Sequence, residues 1–209
     1  MPTMSALLAE AGLQQRYRTI VADPPWKVSA GREIGNYVRA ADGSQPFGVR
    51  NNAARKLVYP SMSVIDIAAL PVKLHASDDA HLYLWTVNRY LKDAFFVMGA
   101  WGFKYSTTLV WAKKPMGGGL GGCYGLATEY CLFGRRGSLP AMSRVGRNWF
   151  DWKRPYKNGF PNHSAKPPEF FQMVEAVSPG PCLELFAREK RPGWHAWGNE
   201  VESDVQLVA

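Results

Sequence analysis

Two kinds of hydrophobic pattern alternate along the chain. The first is the short continuous apolar run, the mark of a strand covered on both faces. Five segments carry it: Arg18–Ala22, "HLYLWTV" from His81, "YSTTLVWA" from Tyr105, "TEYCLFG" from Thr128 and "CLELFA" from Cys182. "WHAWG" from Trp194 is a shorter sixth. The second is a helical period bounded by caps and stops. "SMSVIDIAALP" offers Ser61 or Ser63 as N-cap and Pro71 as its stop. "NRYLKDAFFVMGAWG" offers Asn88 as cap and Gly99 or Gly102 as its end. "PPEFFQMVEAVSPG" has proline in its first turn and Pro-Gly beyond its last. Strands alternating with helices predict an α/β fold with a mostly parallel sheet flanked by helices. Ligands of such sheets sit at the carboxyl ends of the strands.

Two long stretches have neither period. Lys27–Lys56 holds six Lys/Arg against two acids, and Arg135–Lys157 holds seven against Asp151 alone. The second interleaves its cations with Trp149, Phe150, Trp152 and Tyr156. Cations neutralise phosphates and aromatic rings stack on unpaired bases. This stretch is therefore the stronger nucleic-acid contact, with Arg144, Arg147, Lys153 and Arg154 as its substrate-binding residues. The bland alternative is a solvated loop whose tryptophans cover the core. Lys27–Lys56 is the weaker candidate. A net charge of +8 and a pI of about 9.5 over 209 residues suit a polyanionic partner.

Other signals exclude more than they assign. Cys123, Cys131 and Cys182 form no CxxC pair, and His75, His81, His163 and His195 show no metal spacing. No metal is expected, and the histidines read as structural. An odd cysteine count suits a reducing cytoplasm, and no run of about 18 apolar residues is present to span a membrane. "PMGGGLGGCYG", Pro115 to Gly125, lacks the Gly-Lys-Ser/Thr ending of a phosphate loop. The length fits one domain, 1–209, with 1–16 as a lead-in and 201–209 as a tail.

The chemistry concentrates in "TIVADPPWKV", Thr19 to Val28. An apolar strand stops on an acid, two prolines and a tryptophan, and neither proline can supply a ladder N–H. The result is a stiff corner bearing Asp23, Pro24, Pro25 and Trp26. Such a corner suits methylation of an amino group on a nucleobase. Asp23 can accept one N–H of the amine, and the Pro24 carbonyl, held extended and unpaired, can accept another. The Trp26 ring offers a face for the base. The amine gains positive charge in the transition state, which Asp23 opposes. The plain alternative is a rigid turn in which Trp26 is only packed.

The chain then resembles the mRNA adenosine methyltransferases and their prokaryotic and phage relatives, the "MT-A seventy" family. The resemblance runs from about Tyr17 to Glu200 through "ADPPW", "YPSMS", "LYLWTVNRYL", "LVWAKK", "TEYCLFGRRG", "HSAKPPEFF", "SPGPCLELFAR" and "GWHAWGNE". It implies a Rossmann-like class I methyltransferase of permuted order, with the catalytic tetrad early and the cofactor strand late. It implies S-adenosyl-L-methionine as cofactor, with Lys166 on its carboxylate and Asp23 near its ammonium. Phe186, Arg188, Asn199 and Glu200 would hold its ribose and adenine. Tyr59, Trp85, Lys113 and Glu129 match positions around the target base, and the Gly-rich stretch lies where the family has a loop near the active site. Ala187 stands where the family often has glycine, Lys190-Arg191 stands where well-known members have His-Asn, and Glu200 replaces a glutamine. The expected activity is N6-methylation of adenine in nucleic acid, DNA preferred and RNA the alternative. A catalytically silent nucleic-acid-binding partner is the rival reading, and a homodimer or a partner subunit stays open.

Overall fold

The computed structural model describes residues 15–27, 61–113, 126–157, 160–161 and 165–207. Tyr59, Cys123, His163, residues 115–125 and nearly all of Lys27–Lys56 lie outside the described residues. The described chain runs β1 (Tyr17–Ala22), α1 (Val64–Ala69), α2 (Val72–His75), β2 (Ala76–Thr86), a 3-10 turn (Asn88–Tyr90) and α3 (Leu91–Ala100). It continues through β3 (Lys104–Ala112), β4 (Thr128–Arg136), β5 (Trp149–Phe150), β6 (Tyr156–Lys157), β7 (Phe160–Pro161), α4 (Pro168–Val177), β8 (Cys182–Leu185) and β9 (Trp194–Trp197). All six strands expected from the apolar runs form. Seven strands make one sheet in the order β5-β3-β4-β2-β1-β8-β9, and β6 pairs with β7 apart from it.

The pairings β1–β2, β1–β8, β8–β9 and β3–β5 are parallel, while β4 runs against both β2 and β3. Six strands thus share one direction. β4 is the one strand of the sheet that runs against its neighbours.

The period of two sorts each strand between the faces. Ile20, Ala22, Leu82, Leu84, Leu132 and Leu183 point to the face covered by α1 and α3, against Ile67, Val97 and Trp101. Val21, Tyr83, Trp85, Cys131 and Trp111 point to the other face, against Phe170, Phe171 and Val174 of α4. Burial on both faces is why these strands read as unbroken apolar runs.

Helix boundaries follow their caps, with two differences from expectation. Ser63 closes a reciprocal capping box with Asp66, and Pro71 both ends α1 and opens α2. Pro168 sits at the start of α4. Asn88 is no side-chain cap. It begins the 3-10 turn instead, and neither that turn nor α3 has a side-chain cap bond. Gly99 stays inside α3, and Gly102, at φ +82°, ends it in the left-handed conformation that glycine adopts without strain.

Part of the stretch from Arg135 also departs from its loop reading. Arg135 donates to the Leu139 carbonyl, and Arg136 donates to those of Lys73 and Ala76. These two cations fasten the amino-end side of the parallel strands and do not face a substrate. Trp149–Phe150 joins the sheet as an edge strand beside β3.

Three of the histidines are structural in placement. His81 Nε2–H donates to the Leu139 carbonyl at 3.0 Å, which leaves Nδ1 to accept from the Ser178 hydroxyl at 2.8 Å. His195 meets the Tyr17 hydroxyl at 2.5 Å, and His75 is buried at the end of α2. Among the described residues, no helix is long and apolar enough to cross a membrane.

Candidate active site

Parity along the strands brings the charged residues to one place. Asp23 follows Val21 by two, Lys113 follows Trp111 by two, and Glu129 lies opposite Trp111 and two before Cys131. All three therefore project on the α4 face at one end of the sheet. Lys166 reaches them from the segment leading into α4. Its Nζ donates to Asp23 Oδ2 at 2.6 Å and lies 3.4 Å from Glu129 Oε2, while Lys113 pairs with Glu129 Oε1. The four groups form a chain of alternating charge: Asp23, Lys166, Glu129, Lys113.

The chain controls its own ionisation. Burial pushes the Asp23 carboxyl up, Lys166 pulls it back, and Glu129 adds to the rise. Burial works against the Lys166 ammonium, but Asp23 and Glu129 outweigh it and hold Lys166 above the ordinary lysine range. Burial also opposes the Glu129 carboxylate, and the two lysines overcome it and hold Glu129 low. Burial draws Lys113 down despite Glu129. With all four groups ionised their charges sum to zero, so each buried charge has an opposite neighbour.

A cleft adjoins Asp23. Met62, Pro25, Phe186, Arg188, Asn199 and Glu200 line it, with Ala187, Trp197 and Gly198 as its wall. Five of the six residues assigned to the cofactor from the sequence meet there, and Lys166 joins them through Asp23. Phe186 has φ +63°, strained for a non-glycine residue, and its ring meets Trp197 edge-on at 5.3 Å. The Ala187 N–H donates to the Trp197 carbonyl at 2.9 Å. A Cβ at Gly198 would collide with the Ala187 carbonyl oxygen, so glycine there lets the two segments close the wall. Arg188 Nε lies 3.6 Å from Glu200 Oε1, and Asn199 lines the same cleft.

Two expectations about the corner change, and one about the base site. The Pro24 carbonyl is not unpaired: it accepts the Trp26 N–H at 2.8 Å, and one lone pair remains. Trp26 is 5% exposed, its Nε1–H donates to the Trp85 carbonyl at 3.0 Å, and its ring stacks on Tyr90 at 5.4 Å. It braces the corner from the α1/α3 side. Trp85 is 1% exposed and forms a floor, with Lys166 Nζ 5.0 Å above its ring. The apolar neighbours of both tryptophans take the rings into the core. Among the four basic-loop residues, Arg154 adds its charge to the field at Lys113. Arg144 follows Ser143, which is bonded to the Ala176 carbonyl at the far end of α4. A ten-residue helix spans about 15 Å, so Arg144 is not brought to the cleft.

Glu184 was not foreseen. It lies on β8 with its Oε2 buried and without a hydrogen-bond partner, 3.9 Å from Arg191 Nε, which is also unpartnered. Burial raises its carboxyl to about 7, Arg191 opposes this, and Asp23 adds to it. The signal available for it was one acid inside "CLELFA", a run otherwise read as a strand covered on both faces. Between the ordinary 4.5 and about 7 the native state holds a proton that the unfolded chain releases, so stability falls as pH rises through that window. Glu184→Gln is therefore expected to leave stability unchanged near pH 4.5 and to raise it by up to about 3 kcal/mol above pH 7.5, measured by urea denaturation across pH. An equal effect at both pH values would refute the assignment.

The MT-A70 family profile matches residues 17–200. The chain belongs to the MT-A70 family. It is 27% identical to the Type II methyltransferase M.MunI of a Mycoplasma species, over 90% of this chain and 79% of that protein. It is 26% identical to the mouse N(6)-adenine-specific methyltransferase METTL4 over 96% of this chain, and 24% identical to the zebrafish N(6)-adenosine-methyltransferase subunit METTL3 over 93%. It spans 42% and 30% of those two longer proteins. The α/β architecture, a seven-stranded and mostly parallel sheet with helices, is that of a Rossmann-like methyltransferase.

Proposed function

We propose that this MT-A70 protein transfers a methyl group from S-adenosyl-L-methionine to the exocyclic amine of adenine in nucleic acid, DNA preferred. The observation that carries the reading is the position of Asp23, where the cleft meets the chain of alternating charges. The cleft fits the cofactor by its donor set. Lys166 suits a carboxylate, Asp23 an ammonium, Glu200 and Arg188 a ribose diol, and Phe186 with Trp197 a purine. Asn199 supplies an amide for polar edges. When bound, the cofactor supplies a methyl sulfonium for in-line displacement.

The remaining steps belong to the chain. Asp23 Oδ2 is held by Lys166, which leaves Oδ1 to accept one N–H of the amine. The second lone pair of the Pro24 carbonyl accepts the other. The two acceptors aim the nitrogen lone pair away from themselves, and positioning supplies much of the rate. As the amine becomes positive, the Asp23 carboxylate, already fixed by Lys166, opposes the charge without having to reorient. Lys113 and Glu129 lie beyond Lys166 as candidate partners of the base edge, and Tyr59 keeps that assignment from the family resemblance. DNA is preferred because a relative matched over most of both lengths is a Type II methyltransferase.

The test is incubation of the full chain with S-adenosyl-L-methionine and single- or double-stranded DNA and RNA, followed by nucleoside mass spectrometry. N6-methyladenine is expected in DNA above RNA. The reverse order would move the substrate to RNA. No methylation together with no calorimetric uptake of cofactor would replace the enzyme by a silent partner.

A further inference from the structure

The aromatic residues of the basic loop divide into two kinds. Phe150 is buried, and Trp152 stacks on it at 4.1 Å with the rings 7° from parallel. The Trp152 carbonyl accepts the Trp111 indole N–H at 2.9 Å. These rings close the edge of the core on the α4 face. Trp149 is different. It is 53% exposed on a backbone that is fixed. Its strand pairs with β3 at Val110, the Val110 N–H donates to the Asn148 carbonyl at 2.8 Å, and the Asn148 side chain donates to the Thr108 carbonyl at 3.1 Å. The Arg147 guanidinium lies 5.6 Å from the rings of both Trp149 and Phe150. A large aromatic plate is thus held rigidly in solvent at an open sheet edge, with a guanidinium beside it.

We propose that Trp149 is a stacking platform for an unpaired nucleobase several nucleotides from the target adenine, with Arg147 neutralising the adjoining phosphate. This rests on the nucleic-acid reading above and assigns its substrate as a strand with unpaired bases. The placement supports it. Trp149 lies beside Val110, three residues before Lys113, so the two backbones are about 11 Å apart from strand rise and spacing. By strand parity its ring projects on the face away from Lys113, so a strand leaving the cleft crosses the sheet edge to reach it. Arg147, Lys153 and Arg154 flank Trp149 in the sequence with Asp151 as the loop's single acid, which complements a polyanion. Stacking on a rigid ring tolerates any base, because every base has a π-face. Arg147 adds a cation to the stack.

The test compares Trp149→Ala, Trp149→Phe and Arg147→Ser with wild type, using the full chain and fluorescent 20-nucleotide single-stranded DNA, RNA of the same sequence and the blunt DNA duplex. Trp149→Ala is expected to weaken single-strand binding about 5- to 100-fold, with Phe restoring most of it and the duplex changing less than about twofold. The salt slope should stay the same for Trp149→Ala and fall by about 0.7 for Arg147→Ser on single strands. Cofactor affinity should not change in any variant. Wild-type single-strand affinity in Trp149→Ala overturns the platform, as does a shift in oligomeric state without a loss of binding, which would make the ring a protein contact. If wild type binds no polymer, the platform also fails. A wild type that binds through Trp149 yet methylates nothing leaves the platform standing and removes the enzyme reading.

Discussion

Asp23→Asn is expected to fold normally and to lose methyl transfer by roughly 10²–10³-fold in single turnover at saturating cofactor. The side chain is 28% exposed at the end of β1, so the core does not depend on it. Lys166 keeps Glu129 at 3.4 Å as its remaining counter-ion, and asparagine preserves the shape of the corner. What disappears is the negative charge that faces the amine as it becomes positive, together with the ionic hold on Lys166. The fall should lie mainly in the chemical step, because a group acting on transition-state charge lowers turnover more than binding. Rapid-quench measurement of methyl transfer, alongside thermal melting, separates this from misfolding. Turnover within about threefold of wild type at an unchanged melting temperature would mean that Asp23 is not the group that receives the amine.

The fold was legible where the physics is local. Strands buried on both faces show themselves as apolar runs, and the capping box at Ser63 and the prolines of Pro71 and Pro168 mark helix ends without tertiary help. The reversal of β4 was not legible from periodicity, since a strand of either direction has the same period of two. The site was legible in its parts: the corner at Asp23 from the arrest of a strand, and Lys166 and Glu129 from the resemblance to the family. Their joining into one chain of charge was not, because Lys166 and Asp23 are brought together across much of the sequence by α4 packing on the sheet. Glu184 was missed for a related reason. An acid in a strand is read as solvent-facing, and only the packing of Phe171 and Arg191 against that face buries it. In the basic loop, sequence could count cations and rings but could not separate Phe150 and Trp152, which seal an edge, from Trp149, which stays in solvent.

Trp26→Ala should act on stability before it acts on chemistry. The ring is almost fully buried, stacks on Tyr90 and donates to the Trp85 carbonyl, and its backbone bridges to Met62 while Met62 donates to the Pro25 carbonyl at 2.9 Å. Deleting it leaves a cavity beneath the corner and an unpaired carbonyl, a loss of about 3–5 kcal/mol. In a chain of this length each kcal/mol moves the melting temperature by about 2–4 °C, so the midpoint should fall by roughly 10 °C or more. Trp26→Phe keeps the apolar contact with Tyr90 and gives up the indole hydrogen bond, so its loss should be nearer 1–2 kcal/mol. Activity in both variants should track the fraction folded at low temperature, with a further deficit where the corner no longer aims Asp23. A ring that served only as a stacking face for the base would behave differently: the melting temperature would hold within a degree or two and the defect would appear in capture of the polymer. Calorimetric melting of the two variants, read beside their oligonucleotide affinities, decides between a brace and a platform. The stacking on Tyr90 commits the structure to the brace.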